Sequence, residues 1–250
     1  MRYFIEFSYN GTNYLGWQAQ LDTPKTVQQT LQNAMSTLLR APLEVVGAGR
    51  TDTGVHARKM FAHFEHDALP EIKKLVYRLN SFLPKDIAVH DIFPVAADAH
   101  ARFGARSRTY EYHIHTKKNV FLENLSWYYF REIDVEKMNQ AAQILFEYND
   151  FECFSKSNTD VKTFICKITH ANWVKADDRL VFTISADRFL RNMVRAIVGT
   201  LIEIGLGKID ADGLRRIIEA KDRSLAGFSA PARGLYLVDV GYNWDEIRQF

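Results

Sequence analysis

One order of elements, met twice along the chain, limits the fold more than any single residue does. Arg2–Tyr9 alternates apolar and polar residues and stops at Asn10-Gly11, which reads as a strand ending in a turn. Thr26-Val27-Gln28-Gln29 has the form of a capping box, and Val27, Leu31, Ala34 and Leu38 follow at helical spacing. Leu43–Ala48 and Lys59–His66 read as strands, Pro70–Phe82 as a helix and Ile87–Pro94 as a strand. The second half repeats the order. Arg108–Thr116 is a strand, Asp134 caps a helix through Phe146, and Thr163–Lys175 and Leu180–Ala186 form a hairpin across Ala176-Asp177-Asp178-Arg179. Asp187 then caps a long helix to Leu206, and Gly234–Tyr242 closes the pattern after an extra helical piece, Ala211–Ala220. Two β-α-β-β-α-β units in tandem are ferredoxin-like halves. The expected class is therefore α/β (α+β): a mixed, largely antiparallel sheet with helices on one face and a central cleft. Gly104 and its polar neighbours interrupt the pattern over His100–Arg106, so the expected domains are residues 1–104 and 105–250.

Composition narrows the function classes. Apolar residues are 47% and charged residues 25% of the chain, the balance of a folded domain rather than a disordered one. The net charge of +2 excludes a histone-like tail protein but leaves room for a local basic patch. Cys153 and Cys166 make no CxxC pair, so neither a disulfide framework nor a zinc module is expected. The first residues alternate like a strand and carry no signal-peptide core, and no uncharged apolar run suits a membrane helix. A cytoplasmic protein without membrane attachment is the reading.

The densest polar cluster is Gly47-Ala48-Gly49-Arg50-Thr51-Asp52-Thr53-Gly54-Val55-His56-Ala57. It is no phosphate loop: Asp52 stands where the dinucleotide fingerprint needs glycine, and Val55-His56 where the P-loop needs Lys-Ser/Thr. An isolated Thr-Asp-Thr-Gly reads as an Asx-type turn; Arg50 and His56 beside Asp52 add the means for chemistry. Arg188, Arg191 and Arg195 fall on one face of the expected helix. Such a stripe is a solvated face or an anion site, and cations in a first turn oppose the helix dipole unless an anion meets them. Arg102, Arg106 and Arg108 lead into Tyr110 and Tyr112, a pattern suited to RNA backbone and base stacking, although Tyr110, Tyr112 and Ile114 share a strand face that core packing would also explain. His63–His66 and His113–His115 lack further ligands at metal spacing, so no metal is expected. Gly227-Phe228-Ser229-Ala230-Pro231 is not a nucleophile elbow. Phe151, Cys153 and Phe154 read as core or cleft lining.

Gly49–Ala57 resembles the catalytic motif of the tRNA pseudouridine synthase A family, with Thr53 where alanine is more usual. The resemblance runs the length of the chain. Ser107–Tyr112 resembles the family's Arg-x-Tyr-x-Tyr strand, and Asp150–Phe154 its Asp-Phe-x-x-Phe segment. Phe189–Arg195 resembles its Phe-Leu-x-x-Met-Val-Arg helix, and Ala230–Leu237 its final strand; Ala186-Asp187-Arg188 stands where a glycine is common.

The resemblance implies an isomerase that turns uridine into pseudouridine at positions 38, 39 and 40 of the tRNA anticodon arm, with no cofactor or metal. It implies that Asp52 is the carboxylate that starts the reaction, that Tyr110 removes the proton at uracil carbon 5, and that Arg195 pairs with Asp52 and keeps it ionised. Arg50 is expected to hold the flipped-out nucleotide, and His56, Phe189 and Met193 are read as further substrate-binding residues. Arg102, Arg106, Arg188 and Arg191 are expected to hold phosphates. The implied partners are tRNA, gripped at anticodon arm and elbow, and a second copy of the chain. The chemistry suits these residue types, because the target base must leave its stack and a carboxylate can act as nucleophile or base. The rival reading is a non-enzymatic RNA-binding protein on paired ferredoxin-like sheets, but no RNP-type stretch is present.

Overall fold

The computed structural model describes residues 1–20, 25–156 and 161–248. The described residues form nine strands and six α-helices, in a mixed, mostly antiparallel α/β arrangement. The chain divides into two compact units: Met1–Ser107 together with Tyr236–Phe250, and Arg108–Leu235. The segment after Leu235 thus counts with the first unit, where the expected division at residue 104 had put it with the second.

In the first unit the order is β1 (Arg2–Tyr9), α1 (Val27–Leu39), β2 (Val46–Gly47), β3 (His56–Glu65), α2 (Ile72–Phe82) and β4 (Ile87–Val95). β1 lies between β3 and β4, antiparallel to both. The other edge of β3 carries β2 at its Ala62–His63 end. That edge also carries, at His56–Ala57, the parallel strand that follows the second unit. Phe7 stacks on Trp17 at 5.4 Å, and Leu31 and Met35 of α1 are fully buried, while Phe4 and Phe61 pack with Tyr242 at 5.4 Å each.

The expectation for α1 is met on one side only. The Thr26 hydroxyl accepts from the Gln29 N–H, but the Gln29 side chain turns down the helix to Asn33. The strand expected over Leu43–Ala48 shrinks to two residues, for a visible reason. Glutamine side chains of α1 capture the Val45 backbone: Gln28 donates to its carbonyl and Gln32 accepts from its N–H. Those groups are lost to the ladder.

The second unit runs β5 (Ser107–His115), β6 (Trp127–Tyr128), α3 (Val135–Ile144), β7 (Ile168–Ala176), β8 (Arg179–Ala186), α4 (Met193–Gly205) and α5 (Ala211–Ala220). β8 lies between β5 and β7, antiparallel to both, and β6 adds two residues parallel to β5. The order completes with β9 (Leu235–Gly241) and a short α6 (Trp244–Ile247). α3 ends at Ile144 in a 3-10 turn rather than running to Phe146, and β7 starts at Ile168 rather than Thr163. α4 is buried almost all round, which its continuous apolar sequence permits.

Before α4 the chain departs furthest from the expected helix. Asp187 does not cap it: its carboxylate accepts from the N–H groups of Lys167 and Arg188 and closes a turn. The helix begins at Met193, after Asn192 in the left-handed region at φ 69°. Arg188 and Arg191 therefore lie in an irregular segment, and the arginine stripe on one helix face does not exist.

Candidate active site

In the first unit the geometry centres on the loop that carries Asp52. Its backbone is held on both sides. The Trp17 N–H donates to the Thr51 carbonyl at 3.1 Å, Val55 N–H to the Asp52 carbonyl at 3.1 Å, and Gly54 N–H to the Tyr14 carbonyl at 3.3 Å. The Thr51 and Tyr9 hydroxyls are 2.8 Å apart. Two glycines let the chain pass this close. A Cβ on Gly11 would stand 1.9 Å from the Val55 carbonyl oxygen, and one on Gly16, at φ +91°, 2.6 Å from that of Thr51. The clamp is the segment 9–17, of which the sequence pattern marks only the Asn10-Gly11 turn. The glycine spacing and the tryptophan after Gly16 were the signal.

Asp52 itself is partly exposed. Arg50 is exposed beside it, and its Nε donates to Gln18 Oε1 at 3.1 Å. The buried Gln28 holds Gln18 in turn, accepting from its amide at 2.9 Å. His56 sits differently from the expectation. It is 1% exposed, its Nδ1 accepts the Gly11 N–H at 3.0 Å, and its ring stacks on Tyr236 at 4.5 Å. A ring so enclosed is part of the packing around the loop rather than of its open surface. Arg102 and Arg106 are both exposed, with Arg106 paired to Glu246 at 3.1 Å.

In the second unit Tyr110 is partly exposed on β5, and the Phe189 ring meets it edge-on at 5.3 Å. Tyr112, two residues along the same face, is core. Its hydroxyl donates to the Pro231 carbonyl at 2.8 Å, and burial pushes its phenol above the ordinary range. Core packing therefore accounts for Tyr112, while Tyr110 stays partly exposed on the same strand. The Arg188 guanidinium donates to the Thr163 carbonyl, and Arg191 is exposed. Met193, expected at the substrate, is fully buried and lies in the packing of α4.

Arg195, in the first turns of α4, is only partly exposed and is tied by two bonds to one residue. Its Nε donates to the Ala230 carbonyl at 2.6 Å, and its own carbonyl accepts the Ala230 N–H at 3.0 Å. The 226–230 loop lies against α4 at glycines: a Cβ on Gly199 would stand 1.8 Å from the Phe228 carbonyl oxygen. Cys153 and Cys166 are buried, and burial raises their thiols to about 12 and about 11, which removes them as nucleophiles. No group of three or more His, Cys, Asp or Glu side chains among the described residues could hold a metal ion.

Residues 141–243 match the family model for tRNA pseudouridine synthase. Over 242 residues, 96% of both chains, the sequence is 54% identical to a tRNA pseudouridine synthase A of Parabacteroides distasonis. It is 53% identical over 248 residues to that of Porphyromonas gingivalis, covering 98% of each chain. The chain belongs to the tRNA pseudouridine synthase A family. It is an isomerase that acts on tRNA, and this match covers the loop of Asp52 as well as the second unit. A further relative, the tRNA pseudouridine synthase A of Bacteroides thetaiotaomicron, is 52% identical over 98% of this chain and 91% of its own.

Proposed function

We propose that this isomerase converts uridine to pseudouridine at positions 38, 39 and 40 of the tRNA anticodon arm, with Asp52 as the group that opens the reaction. One observation carries the assignment. Asp52 is a partly exposed carboxylate on a loop whose backbone is hydrogen-bonded on both sides of it, which is the preorganisation a reacting group needs. Atoms are conserved throughout: the N1–C1′ bond breaks, the uracil turns, carbon 5 bonds to C1′, and the proton lost from carbon 5 is replaced by one on N1. Asp52 serves this as nucleophile or as base. Tyr110 is assigned removal of the carbon-5 proton, and Arg195 is the cation of the reaction.

Arg50 and Phe189 are assigned to the extruded nucleotide, and Arg102, Arg106, Arg188 and Arg191 to phosphates. The exposure of Arg50, Arg102, Arg106 and Arg191 supports these roles. A homodimer extends the grip toward the tRNA elbow, and the cytoplasm is the working compartment. No described helix is long and apolar enough to cross a membrane.

Tritium release from tRNA labelled at uracil carbon 5 tests the reading. Asp52→Asn keeps size and loses basicity, so release stops while tRNA binding persists. Turnover within about tenfold of wild type would remove Asp52 from the reaction. Mapping pseudouridine in the product tRNA tests the three positions.

A further inference from the structure

α5 interrupts the order of elements before β9, and nothing in the reaction as assigned above uses it. Its buried face, Leu214, Ile217 and Ile218, packs it into the second unit, and Lys221 turns the chain out at φ 53°. Two residues later comes Arg223, half-buried. Its Nη1 donates to the carbonyls of Ala226 at 3.3 Å and Gly227 at 3.0 Å, and its Nη2 to the Ser229 hydroxyl at 3.0 Å. A planar fork with fixed donors is suited to gathering several acceptors at once.

What those acceptors do next gives the arrangement its direction. The Ser229 oxygen also accepts the Asn192 side-chain amide at 2.8 Å, and Asn192 is the left-handed residue from which α4 starts. The next residue, Ala230, takes Arg195 Nε on its carbonyl at 2.6 Å. Gly227 N–H donates to Thr200 Oγ1 at 2.9 Å, which seats the same loop on α4 one turn further on. One guanidinium therefore holds the loop whose Ser229 bonds the residue that opens α4 and whose Ala230 carbonyl bonds Arg195.

We propose that Arg223 is a positioning residue for Arg195, and that α5 serves to deliver it. A direct RNA contact would need its Nη groups turned outward, whereas both donate to oxygens of its own loop. The inference rests on the reading that Arg195 serves the reaction.

The test compares tritium release by wild type, Arg223→Met, Arg223→Ala, Ser229→Ala and Arg195→Ala, with Arg216→Ala on the exposed side of α5 as a control expected to match wild type. Loosening a positioned group by a fraction of an ångström to one ångström costs about 10- to 100-fold in rate, so Arg223→Met lowers kcat by that order. KM for tRNA stays within about threefold, because the lost contact is not made to substrate. Ser229→Ala moves kcat in the same direction, and added methylguanidinium restores part of the kcat of Arg223→Ala. Unchanged kcat in Arg223→Met and Ser229→Ala overturns the proposal. So does a rise in KM alone, which would make Arg223 an RNA contact. A fall in kcat that follows a fall in folded protein and resists methylguanidinium overturns it as well. Should the Arg223 variants fail to fold, Ser229→Ala decides by the same kcat and KM criteria. Inactive Arg195→Ala beside fully active Arg223→Met and Ser229→Ala refutes this inference alone. Full turnover by Arg195→Ala refutes the role of Arg195, and this inference with it.

Discussion

His63 makes the stability of the first unit sensitive to mild acid. The ring lies on β3 with 6% of its surface exposed, its Nδ1 accepts the Ala101 N–H at 3.2 Å, and it also bonds the Val46 backbone. The His100 ring is 4.5 Å away. Burial first, then His100 and Arg2, hold its pKa down to about 4, against the opposing charge of Glu65. A proton on Nδ1 would set two donors against each other. Above pH 6.5, the ordinary imidazole value, both folded and unfolded chains hold the ring neutral, and its full contribution to stability is present. Below it the unfolded chain takes up a proton that the folded chain refuses, so stability falls as pH falls toward 4. At about 1.4 kcal/mol for each tenfold difference in proton affinity, His63 alone removes about 2 kcal/mol between pH 7 and pH 5. His100 and His115, also lowered by burial, act in the same direction. Urea unfolding at the two pH values, for wild type and His63→Asn, isolates the one ring: the variant loses less on acidification by about that amount. An equal loss in both proteins refutes the argument, as does an NMR titration that places the folded His63 near the ordinary value.

Gly11→Ala drives a methyl group against the Val55 carbonyl and shifts the Asp52 loop. Steady-state kinetics should show kcat falling by about 10- to 100-fold with tRNA affinity kept. Tyr112→Phe leaves the Pro231 carbonyl without its donor, and chemical denaturation should show a loss of about 1–3 kcal/mol. Binding of tRNA should weaken with salt at a log–log slope of about −3 to −4 if Arg102, Arg106, Arg188 and Arg191 each hold a phosphate. A flat response, read by filter binding, would return them to ordinary surface. Sedimentation at micromolar concentration should give twice the monomer mass, and a monomer with full turnover would refute the shared grip on tRNA.

The strands and helices with clear period and clear ends were legible in the residues. Arg2–Tyr9 falls where alternation puts it, and Ala211–Ala220 is helical as expected. Asp52 was legible as the centre of a polar cluster. What failed to show was local competition for hydrogen bonds. Side-chain amides of α1 take the Val45 backbone, and the Asp187 carboxylate takes N–H groups of a turn where the sequence pattern asked it to cap a helix. His56 and Met193 carry the right residue types in the right motifs, yet burial gives them supporting roles, and burial is a property of the whole fold. The clamp formed by segment 9–17 was hidden because a close backbone approach leaves no mark on a sequence except glycine.

The first unit is discontinuous, with β3 pairing through His56 and Ala57 to Tyr236 and Leu237. On the ribosome that ladder has to wait. The whole of the second unit, Arg108–Leu235, emerges before the strand that fills the edge of β3, so the second unit can finish folding while the first still exposes an unpaired strand edge. The ring of Tyr236 arrives with that strand, and the stacking partner of His56 beneath the Asp52 loop is therefore among the late pieces to be put in place. A truncated product that stops short of Tyr236 would carry Asp52 on a loop that lacks the ring stacked on His56.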